Sequence, residues 1–97
     1  MKDELHFEWD PTNALINKEK HHISFEEAQT FFWDENALLI SDPDHSSEIE
    51  DRFILLGLSQ NLNLLVVCHC YIKDATIRLI STRKADKKES RQYEVRL

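Results

Sequence analysis

The sequence predicts an α+β fold: an antiparallel β-sheet meander with N-terminal helices packed on one face and a C-terminal basic helix. Three observations carry this. Residues 52–82 hold three apolar runs joined by short polar turns, the pattern of consecutive hairpin-linked strands. Residues 10–33 carry two helix-start signals in succession. Residues 84–93 are polar, lack Gly and Pro, and are rich in helix formers.

Taken in order, Leu5, Phe7 and Trp9 alternate with His6 and Glu8, as in a short half-buried strand. Asp10-Pro11 then offers an N-cap and a proline at the first helical position, so a helix should run over 10–21. Ser24 and Glu27 have capping-box spacing, and Phe25, Ala28, Phe31 and Phe32 fall on one face of a helix over 24–33. Ala37–Ser41 reads as a strand, Asp42–Ser47 as a loop, and Glu48–Asp51 as an acidic run. Arg52–Ser59 and Leu64–Tyr71 read as strands around a turn at Gln60–Asn63, the second being the most apolar. A turn near Lys73-Asp74 leads into Thr76–Thr82, and a helix is expected from about Lys84.

The 97 residues read as a single domain over 1–97, and 41% hydrophobic content is enough for a modest core. No apolar run approaches the roughly 18–20 residues that span a bilayer. The acidic N-terminus has no apolar signal segment. Cys68 and Cys70 read as small buried hydrophobes rather than a disulfide, because a strand backbone holds positions i and i+2 apart. These features together predict a cytoplasmic protein with no membrane partner. His69 points away from both cysteines and no other ligand spacing completes a site, so no metal is expected.

The net charge of −6 is unevenly spread: residues 1–72 carry −10 and residues 73–97 carry +4. The basic end contains Arg78, Arg83, Lys84, Lys87, Lys88 and Arg91, part on a strand and part on the expected helix. That arrangement suits a phosphate backbone, or equally a solvated surface. Arg52 opens an apolar strand, so it is either salt-bridged to Glu50 or Asp51 or aimed at an anion. Lys20, His21 and His22 form a smaller cluster at a helix C-terminus, where the macrodipole favours cations in any case. With the last hairpin centred on Lys73-Asp74, His69 sits across from Arg78, as either a proton-transfer group or a partly buried structural histidine. Arg78 and Arg83 are five apart and face oppositely unless the strand ends or bulges between them. No triad, phosphate loop or paired-acid motif is present. Metal-free RNA cleavage needs only a base, an acid and cations, which this chain has.

Four segments in order resemble the BrnT family of type II toxins, within the RelE-like ribonuclease superfamily. They are FEWDPTNALINKEKHHISFEEA (7–28), DPDHSSEIEDRFILLGLS (42–59), LLVVCH (64–69) and RLISTRKADKKESRQYE (78–94). Matching positions include Trp9, Asp10, Asn17, Lys20, His21, Arg52, Gly57, Arg78, Arg83 and Tyr93. The resemblance implies an endoribonuclease that cleaves mRNA and arrests growth without a cofactor. Arg52, Arg78 and Arg83 would bind the scissile phosphate, with Lys20, His21 or His69 for proton transfer. It also implies a BrnA-like ribbon-helix-helix antitoxin, two copies of each chain in a heterotetramer, and operator DNA reached only through the antitoxin. Departures are His22 where the family usually has Gly, Asp51 where Glu commonly precedes the Arg, and Cys68 and Cys70 for more usual Val and Thr. Two other readings share these features: an inactive toxin-fold co-repressor, and a module that binds nucleic acid without cleaving it.

Overall fold

The computed structural model describes residues 5–40, 52–73, 75–95 and 97. The expected loop Asp42–Ser47, the acidic run Glu48–Asp51, Ser41 and Asp74 lie outside them. Strand β1 (His6–Glu8) leads into helix α1 (Pro11–His21) and helix α2 (Phe25–Thr30), which ends in a 3₁₀ turn at Phe31–Trp33. Strands β2 (Leu38–Ile40), β3 (Phe53–Leu58), β4 (Leu64–Tyr71) and β5 (Thr76–Lys84) follow, then helix α3 (Lys87–Glu94). They form one five-stranded sheet in the order β1-β5-β4-β3-β2.

Local chemistry sets the boundaries. Asp10 caps α1 by accepting from the Thr12 backbone N–H at 2.7 Å, and Pro11 occupies the first turn. α1 ends at His22 in the left-handed conformation, φ 62°, where its N–H donates to the Lys18 carbonyl. A β-carbon there costs about 1–2 kcal/mol. The left-handed turn at His22 is thus formed without the glycine that such a conformation favours. Ser24 caps α2, but the expected box is half formed. Glu27 instead accepts from Ser59 Oγ and Asn63 Nδ2, both at 2.7 Å, tying α2 to the β3–β4 turn. Burial opposes its ionisation, yet these bonds, with one from Asn61, hold the carboxyl below its usual range.

The alternation of β3, β4 and β5 sends side chains to two cores. On one face Leu65, Val67, Ile77 and Leu79 meet Ile23, Phe25, Ala28 and Phe31 from the α1–α2 layer. On the other, Leu56 and Val66 lie under Tyr93 of α3. Gly57 permits the first packing: a β-carbon there would come within 2.9 Å of Phe31 Cδ2. Tyr93 is buried and donates to Asp34 Oδ2 at 2.6 Å, so α3 is docked by its own chain.

Three expectations need correction. The sheet is mixed, because β1 runs parallel to β5 (Phe7 opposite Ile77). No tight turn dictates its direction, since nearly the whole chain separates the two strands. β5 continues to Lys84, paired with Leu65, and α3 starts only at Lys87. A full capping box fixes that start: the Glu89 backbone N–H donates to Asp86 and the Asp86 N–H to Glu89. The β4–β5 register also differs: Arg78 pairs with Cys70, while His69 pairs with Leu79 and therefore faces the opposite side.

β1 accompanies β5 only as far as Arg78. Further along that edge Asn17 supplies the missing partner. Its Oδ1 accepts from the Thr82 N–H at 3.0 Å, and its Nδ2 donates to the Thr82 carbonyl at 2.9 Å and the Ile23 carbonyl at 3.2 Å. Asn17→Ala leaves these buried backbone groups unpaired and should destabilise the domain by about 2–4 kcal/mol. Urea unfolding followed by circular dichroism should show a lower midpoint with an unchanged m-value. Wild-type stability in the variant would deny Asn17 this part.

Candidate functional site

The register of β4 against β5 shifts between Cys68 and His69: Cys68 lies opposite Ser81, His69 opposite Leu79, and Ile80 is the extra residue. This bulge reverses the parity of everything after it. Before it, Ile77 and Leu79 face the α1–α2 core and Arg78 faces away. After it, Thr82 is bonded to Asn17 and Arg83 faces away. Arg78 and Arg83 therefore share one face despite their odd spacing. Arg52 enters the same face one residue before β3, in phase with Ile54 and Leu56.

Two adjoining clefts open there. The first, about 460 Å³, is lined by Glu8, Trp9, Asp10, Asn13, Arg52 and Arg78 among others. The second, about 330 Å³, brings together Lys20, His21, Arg52, Cys68, Ser81 and Arg83. Arg52 and Ile80 line both. Lys20 and His21 reach the second cleft because the last turn of α1 lies at the edge of β5, where β1 has ended.

The three arginines are in different states. Arg78 forms an exposed pair with Glu8, Nη2 to Oε2 at 2.6 Å and Nε to Oε2 at 2.8 Å. Arg83 makes a two-pronged pair with Glu89, at 2.9 and 2.8 Å, and also donates to the Lys84 carbonyl. The Glu89 bonds raise the Arg83 pKa further against partial desolvation, and Arg83 in turn lowers that of the Glu89 carboxyl. Arg52 differs: its Nε is buried and has no hydrogen-bond partner among the described residues. A planar guanidinium with an unused donor, near two more, is the kind of arrangement that suits a tetrahedral oxyanion.

His69 is not part of this site. It is fully buried on the opposite face, with its ring 5.1 Å from Phe32, 5.4 Å from Tyr71 and 6.2 Å from Phe53. Nδ1 lies 3.3 Å from the Val67 carbonyl, and Nε2 has no hydrogen-bond partner among the described residues. Desolvation lowers its pKa, and the Val67 carbonyl only partly offsets this. Like-charge repulsion from Arg78 plays no part.

Sequence reasoning missed the carboxylates that hold the arginines. Glu89 was detectable, since Asp86 and Glu89 have the same spacing as Ser24 and Glu27. Glu8 was not, because its pairing depends on the parallel β1–β5 contact. Among the described residues, no cluster of three His, Cys, Asp or Glu could hold a metal ion, and no helix is long and apolar enough to cross a membrane.

A family model described as the ribonuclease toxin BrnT of type II toxin-antitoxin systems matches residues 9–89. The fold is similar to the 1.1 Å crystal structure of the Brucella abortus ribonuclease toxin BrnT. The TM-score is 0.66 at 20% identity, covering 86% of this chain and 99% of that one. No curated protein matches.

The buried neutral imidazole has a measurable consequence. A histidine whose folded pKa lies below its unfolded value of about 6.5 favours the unfolded state once protonation becomes possible. Its contribution is complete above pH 6.5 and is lost as pH falls from there toward the folded value. Thermal melts between pH 7.5 and 5 should show a falling Tm in wild type and a flatter profile in His69→Phe. Parallel profiles would place the acid sensitivity elsewhere.

Proposed function

The chain belongs to the BrnT family of ribonuclease toxins of type II toxin-antitoxin systems, and we propose that it is itself a metal-independent endoribonuclease that cleaves mRNA and arrests growth. The observation that carries this reading is the buried Nε of Arg52, without a hydrogen-bond partner among the described residues, at the junction of two clefts lined by further cations. Arg52, Arg78 and Arg83 would bind the scissile phosphate and neutralise the charge that builds on it. Lys20 or His21 would serve proton transfer at the 2′-hydroxyl or the leaving oxygen. His69 is left out, since it lies on the far side of the sheet. RNA would displace Glu8 from Arg78 and Glu89 from Arg83, exchanging a carboxylate for a phosphate at each.

A type II family implies an antitoxin. A BrnA-like ribbon-helix-helix protein in a complex of two toxins and two antitoxins is the expected form, with operator DNA contacted by the antitoxin. Masking would be direct if the antitoxin placed its own carboxylates over the arginine face. A second reading, an antitoxin-bound co-repressor that does not cleave, is favoured by one observation: two of the three arginines are already paired with carboxylates.

Arg52→Ala, Arg78→Ala and Arg83→Ala should each be expressed without antitoxin and checked for folding by thermal melt. Loss of a transition-state contact costs on the order of 10²–10³ in rate. Arg52→Ala should lose at least that much RNA cleavage and no longer arrest growth, while still binding antitoxin. Three folded, fully toxic variants would refute the site. A wild type that is harmless and cleaves no RNA would hand the assignment to the co-repressor.

A further inference from the structure

The two clefts that meet at Arg52 differ in what they offer. Among the described residues, the smaller one carries Lys20, His21, Arg52 and Arg83 and no carboxylate. The larger one sets Glu8 and Asp10 against Arg52 and Arg78, and adds Trp9 and Asn13. Its two guanidiniums are matched by two carboxylates, so as a whole it attracts an anion less than the smaller cleft does. What it does offer is an aromatic residue beside hydrogen-bonding groups, the combination by which proteins hold unstacked nucleobases.

The groups that matter are held in place. Trp9 is half-buried, and its ring meets that of Phe25 edge-on, with 5.7 Å between centroids and 80° between planes. Phe25 is 1% exposed, so the indole rests on the core. Asp10 is fixed by capping α1: its Oδ1 accepts from the Thr12 N–H at 2.7 Å and from the Asn13 N–H at 3.4 Å. The helix terminus is therefore served by its own chain and is not what the cleft offers a ligand. Oδ2 of Asp10 and the side-chain amide of Asn13 have no hydrogen-bond partner among the described residues.

We propose that the larger cleft is a nucleobase subsite selective for guanine, next to the phosphate held by the arginines; this rests on the ribonuclease reading. Guanine places two donors side by side, N1–H and the N2 amino group, with O6 as an acceptor beyond them. A carboxylate accepts from both donors, and an amide N–H donates to O6. Asp10 and Asn13 supply that set from the start of α1. Cytosine and adenine present one amino group beside a ring-nitrogen acceptor, which a carboxylate repels. Uracil has its one N–H between two carbonyls. Contact with an aromatic side chain serves any base, so the choice falls to Asp10 and Asn13. Arg52 lines both clefts and so links base to phosphate.

The test uses short uridine oligoribonucleotides with guanine, adenine, cytosine or uracil at the centre. They are 2′-O-methylated so that they cannot be cleaved, and binding to the full chain is read by anisotropy. Wild type should bind the guanine oligonucleotide about tenfold more tightly than the other three. Asp10→Asn keeps a capping side chain but replaces the carboxylate by an amide, so the preference should fall to about twofold or less with little change in Tm. Asn13→Ala, at an exposed position that caps nothing, should lower the preference about threefold. A part confined to capping would shift all four affinities together and leave the preference as it was. Equal binding of the four by wild type, preference for another base, or a preference unchanged in both variants overturns the subsite and leaves the ribonuclease reading standing. Binding of none of the four also overturns the subsite. Unmodified RNA, left intact or cut, then decides whether the ribonuclease reading falls with it.

Discussion

The amide of Asn17 joins the helical layer to the sheet, and the position of most other groups follows from that joint. β1 is only three residues long, so the second half of β5 would otherwise present an unpaired edge. Asn17 pairs with both the N–H and the carbonyl of Thr82, as a neighbouring strand would. The same amide holds the Ile23 carbonyl, just beyond the left-handed turn at His22. Everything between residues 17 and 23 is therefore fixed against β5. Lys20 and His21 lie in that interval, which is why a helix otherwise on one side of the sheet lends side chains to a cleft on the other.

A second constraint acts within β5. Without the bulge at Ile80, Arg78 and Arg83 would lie on opposite faces, one of them driven into the apolar layer under α1 and α2. With it, three arginines from two strands share one surface. A bulge of this kind is a device for re-aiming side chains. The pleat therefore separates two chemistries: an aromatic core with a neutral histidine on one side, and an open cationic surface on the other.

Much of the fold was legible because it rests on local chemistry. Asp10-Pro11 and Ser24 placed the two N-terminal helix starts, and the apolar runs from Arg52 to Thr82 gave three strands in meander order. What was illegible depends on contacts between distant segments. β1 meets β5 some seventy residues away, as the Glu8–Arg78 pair records. The bulge at Ile80 carries no glycine to announce it. Asn17, in the middle of a polar helix, looks like a surface residue until the bare edge of β5 is seen beside it. The position of His69 failed for the same reason, since one residue of register decides which face it joins. For the candidate site, Arg52, Arg78, Arg83, Lys20 and His21 were all read from the sequence as cations. Their shared face was visible only as a condition, that the strand bulge.

The pairing of Arg78 with Glu8 and Arg83 with Glu89 also bears on thermodynamics. A lysine or arginine that meets nucleic acid ordinarily sheds mobile ions, and their dilution into bulk solution makes affinity fall steeply with salt. Here the groups that RNA would displace under the proposed function are tethered to the chain, so their departure would gain little mixing entropy. Two of the three central arginines thus behave as though supplied with counterions that never leave. Under the proposed function, phosphate binding here would depend more on the geometry of the exchange than on ionic strength, and a polyanion that merely passes by would gain little from the surface.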